Sequence, residues 1–330
     1  MLMTLMKNII IRLFKTLLGL GVVLMSWSVF AQNYPEHPVR FIVPFPPGGP
    51  IDQVARIVAL KLSDQWGQQI VVDNRAGAGG IVGAEIAAKS PADGYTIFVS
   101  SIHHSVLPSL KPKLSYNIEK DFTPLTFGAR FPIILVAHPS VPVSSIKELI
   151  ALEKQSQGKL AFGSSGNGGG THLAGELFNY QAGTHLMHIP YKGSALAAND
   201  LLAGQVQLMF ADAPSVIQHI KAGKLKALGV ANLQRSDLLP NLPTIAESGL
   251  PGYEAYSWAG FLVPTGVPKN LSHKISVDIA KVLSQADVKQ SLLNIGAESK
   301  PTTSEEFSKI LQVEIKKWAK VIKAANIESD

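Results

Sequence analysis

Apolar positions along this chain follow two alternating rhythms. Val39-Arg40-Phe41-Ile42-Val43 reads as a strand and runs through Pro46-Pro47-Gly48-Gly49-Pro50 into Ile51, Val54, Ala55, Val58 and Leu62, which share one face at a 3.6-residue period. Gln69 to Asp73, the loop Gly77-Ala78-Gly79-Gly80 and a small-residue helix from Val82 to Lys89 repeat the unit. Thr96 to Val99 is a third strand, ending in a Ser100-Ser101 loop.

A second set starts after Pro132. Ile133 to Ala137 reads as a strand, Ser144 to Gln155 as a helix, and Lys159 to Phe162 as a strand that opens into Gly163-Ser164-Ser165-Gly166-Asn167-Gly168-Gly169-Gly170. A helix follows over Thr171–Tyr180. Further units are His188–Pro190 into Ser194–Ala203, Val206–Phe210 into Pro214–Ala222, and the strand Leu225–Val230. Alternation of this kind implies an α/β protein with parallel, doubly wound sheets. The last third changes character: a strand at Tyr256–Val263 precedes three amphipathic helices, Leu271–Ser284, Asp287–Asn294 and Ser304–Ala325. If those helices pack on the first set, the chain crosses between two lobes twice, which makes a hinge.

Charge separates along the chain. The 330 residues carry 30 Lys+Arg and 24 Asp+Glu, but Lys7, Arg12 and Lys15 lie in an acid-free N-terminal segment, leaving 27 against 24. That balance removes the case for nucleic acid. Leu17–Phe30 is an uncharged run of 14 residues ending near Ala31, the pattern of a cleavable secretory signal peptide over 1–31 and too short for a membrane span. There is no cysteine. Disulfides, thiolate chemistry and a lipid-modified N-terminal Cys are therefore excluded.

In an open parallel sheet, ligands collect where strand ends lead into helix starts. The loops at Pro46–Pro50, Gly77–Gly80, Ser100-Ser101 and Gly163–Gly170 all fall there. Glycine lets backbone approach a ligand, and unpaired N–H groups at a helix start favour an anion such as a carboxylate. Asp52 in the first turn after Gly49 fits either a dipole-pairing role or the ordering of a ligand loop. Arg75 fits a structural ion pair or a carboxylate contact. His103-His104 fits a structural pair or a cleft lining, and His172 a cleft wall or structural support.

Enzyme signatures do not form. Gly163-Ser164-Ser165-Gly166 lacks G-x-S-x-G spacing, no G-x-x-x-x-G-K-[ST] loop exists, and Gly77-x-Gly79-x-x-x-Gly83 misses the dinucleotide register. No H-E-x-x-H is present, and no cofactor, metal or catalytic residue is expected. The competing enzyme reading is an exported α/β hydrolase using Ser165 with His172.

At these loops the sequence resembles the substrate-binding proteins of tripartite tricarboxylate transporters, the Bug receptors. YPEHPVRFIVPFPPGGPIDQVAR at 34–56, IVVDNRAGAGGIVGAEIAAKSPADGYT at 70–96, AFGSSGNGGGTHLAGELF at 161–178, HIPYKGSALAANDLLAGQVQLMF at 188–210, IKAGKLKALGVAN at 220–232 and LPTIAESGLPGYE at 242–254 carry the resemblance. It implies a type II periplasmic binding-protein fold, with lobe 1 over 34–130 plus 257–330 and lobe 2 over 131–256, closing on a small organic acid. It implies a carboxylate held largely by main chain and ordered water, near Phe45, Gly48, Gly49, Asp52, Ala78, Ser100, Ser101, Ser165, Gly166 and Thr171. The family pattern has an acid directly after the Phe of the strand Val206–Phe210. Here Ala211 stands there and Asp212 follows, which places Asp212 toward the distal part of the ligand. The resemblance further implies a periplasmic monomer whose partners are membrane transporter subunits, with a signalling receptor as the alternative.

Overall fold

The computed structural model describes residues 34–111, 113–156 and 158–327; the segment 1–31, expected to be a signal peptide, lies outside the described residues. The first half builds β1 (Val39–Val43), α1 (Pro50–Trp66), β2 (Ile70–Asn74), a short 3-10 turn at Ala78–Gly80, α2 (Ile81–Ala88), β3 (Thr96–Ser101) and α3 (His103–Leu110). The apolar stripe of α1 is buried at Ile51, Val54, Ala55, Val58 and Leu62, as its period requires. Pro50 sits in the first turn, where its missing N–H has no partner to lose, and Gly67 ends the helix in a left-handed conformation. β1 pairs in parallel with both β2 and β3.

β4 (Phe122–Ala137) changes the expected architecture. It is one 16-residue strand, of which the sequence pattern exposes only Ile133–Ala137. Its first part, Phe122–Pro132, runs antiparallel to β9 (Tyr256–Pro264), and the register shifts between Pro124 and Thr126 and between Phe127 and Ala129. Pro124 cannot donate to a ladder and the first shift falls beside it, whereas the second falls at Gly128. Its second part runs antiparallel to β7 (Leu208–Asp212) and β8 (Lys226–Val230).

The result is a single curled ten-stranded sheet in the order β2-β1-β3-β9-β4-β7-β5-β6, with β8 and β10 (Glu298–Ser299) also paired to β4. β5 (Ala161–Ser164) pairs in parallel with β6 (Met187–Pro190) and with β7. The purely parallel expectation is therefore corrected. The two outer groups of strands are parallel, but β4 and β9 carry the chain between them in opposite directions and must run antiparallel to each other.

The second half adds α4 (Ile146–Ser156), α5 (Gly170–Ala182), α6 (Ser194–Leu202) and α7 (Ala213–Lys221). The C-terminal third adds α8 (Lys269–Ser284), α9 (Ala286–Asn294) and α10 (Ser304–Ala324). α8 and α9 pack on α1 of the first half, whereas α10 lies against α3, β4 and α5 and so bridges both halves. Thr303 and Glu306 form a reciprocal capping box at its start. Its inner face buries Phe307, Leu311, Trp318, Val321 and Ile322. One hydrophobic cluster is shared between the halves, joining Ile42 and Phe98 to Phe162, Phe210 and Trp318, and each half keeps a further cluster of its own.

Candidate functional site

On the first half, three strand ends converge. Asp52, 1% exposed, is the organiser of the loop after β1. Its Oδ2 accepts from the Gly48 N–H at 2.8 Å and from Arg56 Nε at 2.8 Å, and its Oδ1 accepts from Asn74 Nδ2 at 2.8 Å. Asn74 also donates to the Phe45 carbonyl at 3.0 Å. Burial alone would push this carboxyl up; the hydrogen bonds from Arg56, Gly48 and Asn74 outweigh it and hold it below the usual carboxylate value. Asp52 thus fastens the Phe45–Gly49 loop to the end of β2, and every hydrogen bond it makes is to the protein.

The second loop approaches the same place. Ala78 adopts a positive φ of 46°, and Gly80 one of 100°. A side chain on Gly80 would begin 3.1 Å from His104 Nε2 and 3.4 Å from the Phe45 ring. Phe45 tilts against His103, with ring centroids 5.2 Å apart.

Ser100 and Ser101 were expected in a loop, but they are the last two residues of β3 and both are buried. The Ser101 N–H donates to His104 Nδ1 at 3.0 Å. Ser100 Oγ is buried without a hydrogen-bond partner. His103-His104 opens α3, a helix that eight residues and an internal Pro108 hide from the sequence pattern. Burial, and then the neighbouring His103, depress His104 to about 3; burial depresses His103 to about 4. Both imidazoles are neutral at pH 7. Arg75 pairs with Asp73 at 2.9 Å, the structural alternative of its two readings.

The second half presents a matching set. The Ser165 N–H donates to Thr171 Oγ1 at 2.9 Å, and the Ser165 and Thr171 hydroxyls lie 2.8 Å apart. The Gly166 N–H donates to Ser164 Oγ at 3.2 Å, and Ser164 Oγ meets His188 Nε2 at 2.6 Å. The Gly168 N–H donates to His172 Nδ1 at 3.0 Å, so any ring proton of His172 sits on Nε2, which faces Glu176 Oε1 at 3.7 Å. Gly193 N–H to Ser165 O ties in the loop after β6. Asp212 ends β7 and stands at the N-cap position of α7, where its side chain makes no capping hydrogen bond. It accepts from Ser194 Oγ at 3.1 Å and from Ser257 Oγ of β9 at 3.5 Å. Burial raises its carboxyl above the usual value, and the two hydroxyls only partly offset this.

The two sets approach each other beside β9 and the end of α3. Leu110 at the end of α3 lies where a side chain on Gly168 would begin, and Ser257 Oγ occupies the place a side chain on Gly170 would take. The glycines that precede α1 and α5, Gly49 and Gly169, place no side chain on the first-turn N–H groups of either helix. These groups remain open to an anion. The hydrolase pairing does not form: Ser165 bonds Thr171, and His172 bonds Gly168. Ser164 and His188 are in reach of each other, but Ser164 is fully buried and its hydroxyl orders Gly166. Among the described residues no group of three or more His, Asp or Glu is arranged to hold a metal ion.

Residues 54–327 match the model of the tripartite tricarboxylate transporter family receptor. This chain belongs to that family. The receptor is 36% identical to Rpa4515 of R. palustris, a structure with adipate, over 89% of this chain and 99% of that one, with a TM-score of 0.76. It is 35% identical to the periplasmic binding protein BugD, over 90% and 100% of the two chains, with a TM-score of 0.73. It is 30% identical to MatC of Rhodopseudomonas palustris with bound malate, over 88% and 100%, with a TM-score of 0.72. The fold is accordingly the type II-like two-lobe fold of periplasmic solute-binding receptors. Among the described residues no helix of the receptor is long and apolar enough to cross a membrane.

Sequence pattern located the loops but missed four of the side chains that shape them. Asn74, His188, Ser194 and Ser257 lie in or beside strands and helix starts. Apart from Asn74, nothing in their local spacing marks them, because their partners are 16 to 45 positions away. Only Asn74, at the mouth of a glycine loop, had a visible signal.

Proposed function

We propose that the mature chain is a periplasmic receptor that captures a small organic acid between its lobes, without catalysis, and delivers it to membrane subunits of a tripartite tricarboxylate-type transporter. The observation that carries this reading is the pair of helix starts, α1 after Gly48-Gly49 and α5 after Gly169, each uncapped and each held by an ordered loop. Adipate in Rpa4515 and malate in MatC support a carboxylate ligand.

In this reading, lobe 1 comprises 34–130 and 257–330, lobe 2 comprises 131–256, and β4 and β9 form the hinge. Residues 1–31 direct export and are removed. The open first-turn N–H groups of α1 and α5 form the carboxylate site, and Gly48, Gly49, Ala78, Ser165 and Gly166 shape the loops around them. Asp52 and Thr171 act behind them as positioning residues, and the receptor works as a monomer. Lobe closure desolvates the carboxylate and presents the closed surface to the transporter.

Isothermal titration of the exported protein with a panel of mono- and dicarboxylates, aromatic acids and amino acids tests the proposal. Saturable 1:1 binding of at least one carboxylate is expected. Heats indistinguishable from dilution across the whole panel would sink it.

A further inference from the structure

Asp212 is a carboxylate of the second half that forms no ion pair among the described residues. Its neighbours, Ser194 Oγ at 3.1 Å and Ser257 Oγ at 3.5 Å, are neutral hydroxyls contributed by α6 and β9. Among the described residues no Lys, Arg or His forms an ion pair with it, in contrast to Asp52 with Arg56 or Glu298 with Arg130. Removing a carboxylate from water is costly unless an opposite charge or several donors compensate. Two hydroxyls, one of them at long range, leave acceptor capacity open on both oxygens.

Its placement connects it to the ligand site. Asp212 stands at the carboxyl end of β7, on the sheet face shared with Phe210, whereas Ala211 is buried on the opposite face with Met209 and Ala213. The acid of the family pattern at position 211 would therefore point the other way. Ser257, its hydrogen-bond donor, sits over the Cβ position of Gly170 at the start of α5. The carboxylate of Asp212 is thus one hydroxyl away from the helix start that suits the ligand's own carboxylate. A second ligand carboxylate brought beside Asp212 meets like charge in a partly desolvated setting, while a protonated amine there completes an ion pair.

We propose that Asp212 is a specificity-determining residue that accepts from a protonated nitrogen on the ligand, so that the receptor selects zwitterionic amino acids over the matching dicarboxylates. This rests on the carboxylate-capture reading above and narrows it to one ligand class. Ser194 and Ser257 hold the Asp212 carboxylate in place, and the helix starts hold the opposite end of the ligand.

The test uses three ligand series of matched length, unsubstituted monocarboxylates, α- and ω-amino acids and α,ω-dicarboxylates, titrated calorimetrically into the exported protein and into Asp212→Asn. The Asp212 side chain makes no capping hydrogen bond to α7, so Asn at this position removes no cap from the helix. For the unsubstituted protein, an amino acid binding at least tenfold more tightly than both its parent acid and the diacid of the same length is expected. In Asp212→Asn, the amino acid should lose at least tenfold in affinity and the diacid should gain. Equal or tighter binding of the diacid by the unsubstituted protein overturns the inference, as does a preference that survives Asp212→Asn. Binding with no preference for nitrogen leaves carboxylate capture standing and removes only this inference. Absence of binding in all three series removes both.

Discussion

The imidazoles of His172 and His188 lie face to face, with ring centroids 3.6 Å apart and planes 8° from parallel. Each ring also holds the glycine loop. His172 Nδ1 takes the Gly168 N–H, and His188 Nε2 meets Ser164 Oγ, which in turn takes the Gly166 N–H. Burial, and then the adjacent His172, push His188 down to about 3. His188 is therefore neutral in the fold at pH 7.

Stability should consequently fall with acid. An unfolded imidazole titrates near ~6.5, while His104 and His188 in the fold titrate near about 3. Between those values the unfolded state binds more protons. The stabilisation is then complete above about 6.5 and is lost progressively as pH falls toward the folded values. For a fully buried ring such as His104 the slope approaches about 1.4 kcal/mol per pH unit. Urea denaturation at pH 7.5, 6.0 and 5.0 should show the midpoint falling throughout. His188→Gln should flatten the curve, and an unchanged midpoint over that window would contradict the assignment.

Asp52→Asn should weaken ligand binding without touching the ligand. The substitution removes the charge opposite Arg56 and replaces one of two acceptor oxygens by a donor, which then faces either Asn74 Nδ2 or the Gly48 and Arg56 donors, in a group that is 1% exposed. A cost of about 1–3 kcal/mol in unfolding free energy is expected for the disrupted buried network. Affinity for the carboxylate ligand should drop with it, as the Phe45–Gly49 loop loosens. Calorimetry paired with denaturation separates this from direct contact, which would abolish binding at unchanged stability.

Gly80→Ala should damage the site twice. The residue has a φ of 100°, and its new Cβ would stand 3.1 Å from His104 Nε2. The positive φ costs an L-residue about 1–2 kcal/mol, and the contact forces His104 or Phe45 to shift. A lower melting temperature and reduced affinity are expected. Retention of both would show that the loop relaxes freely.

Trp318→Ala should unfold the two halves together. Trp318 is fully buried in the face of α10 that bridges α3, β4 and α5, and its Nε1 donates to Glu314 Oε2 at 2.8 Å. Glu314 also pairs with Lys317. Loss of the indole opens a cavity worth about 3–5 kcal/mol. Fluorescence and circular dichroism should report one coincident transition at lower denaturant. Two separated transitions would mean that α10 does not couple the halves.

Most elements were legible because helix and strand periods are local. The stripe Ile51, Val54, Ala55, Val58 and Leu62 announces α1 without reference to any other segment, and glycine after a strand announces a loop. The first part of β4 escaped because Pro124, Gly128 and Pro132 break its alternation, and its pairing with β9 comes from residues more than 120 positions later. Ser100-Ser101 read as a loop because two serines end an apolar run, yet pairing with Gly260 and Ala259 extends β3 through them.

The candidate site divides in the same way. The chain alone determined the absence of cysteine and the helix starts after Gly49 and Gly169, since each depends on composition or on immediate neighbours. Tertiary structure decided that Asp52 turns inward to Gly48, Arg56 and Asn74, that His172 stacks on His188 rather than activating Ser165, and that Asp212 meets Ser257. These depend on which strand ends the sheet brings together. The antiparallel run of β4 against β9 settles that, and no spacing along the chain encodes it.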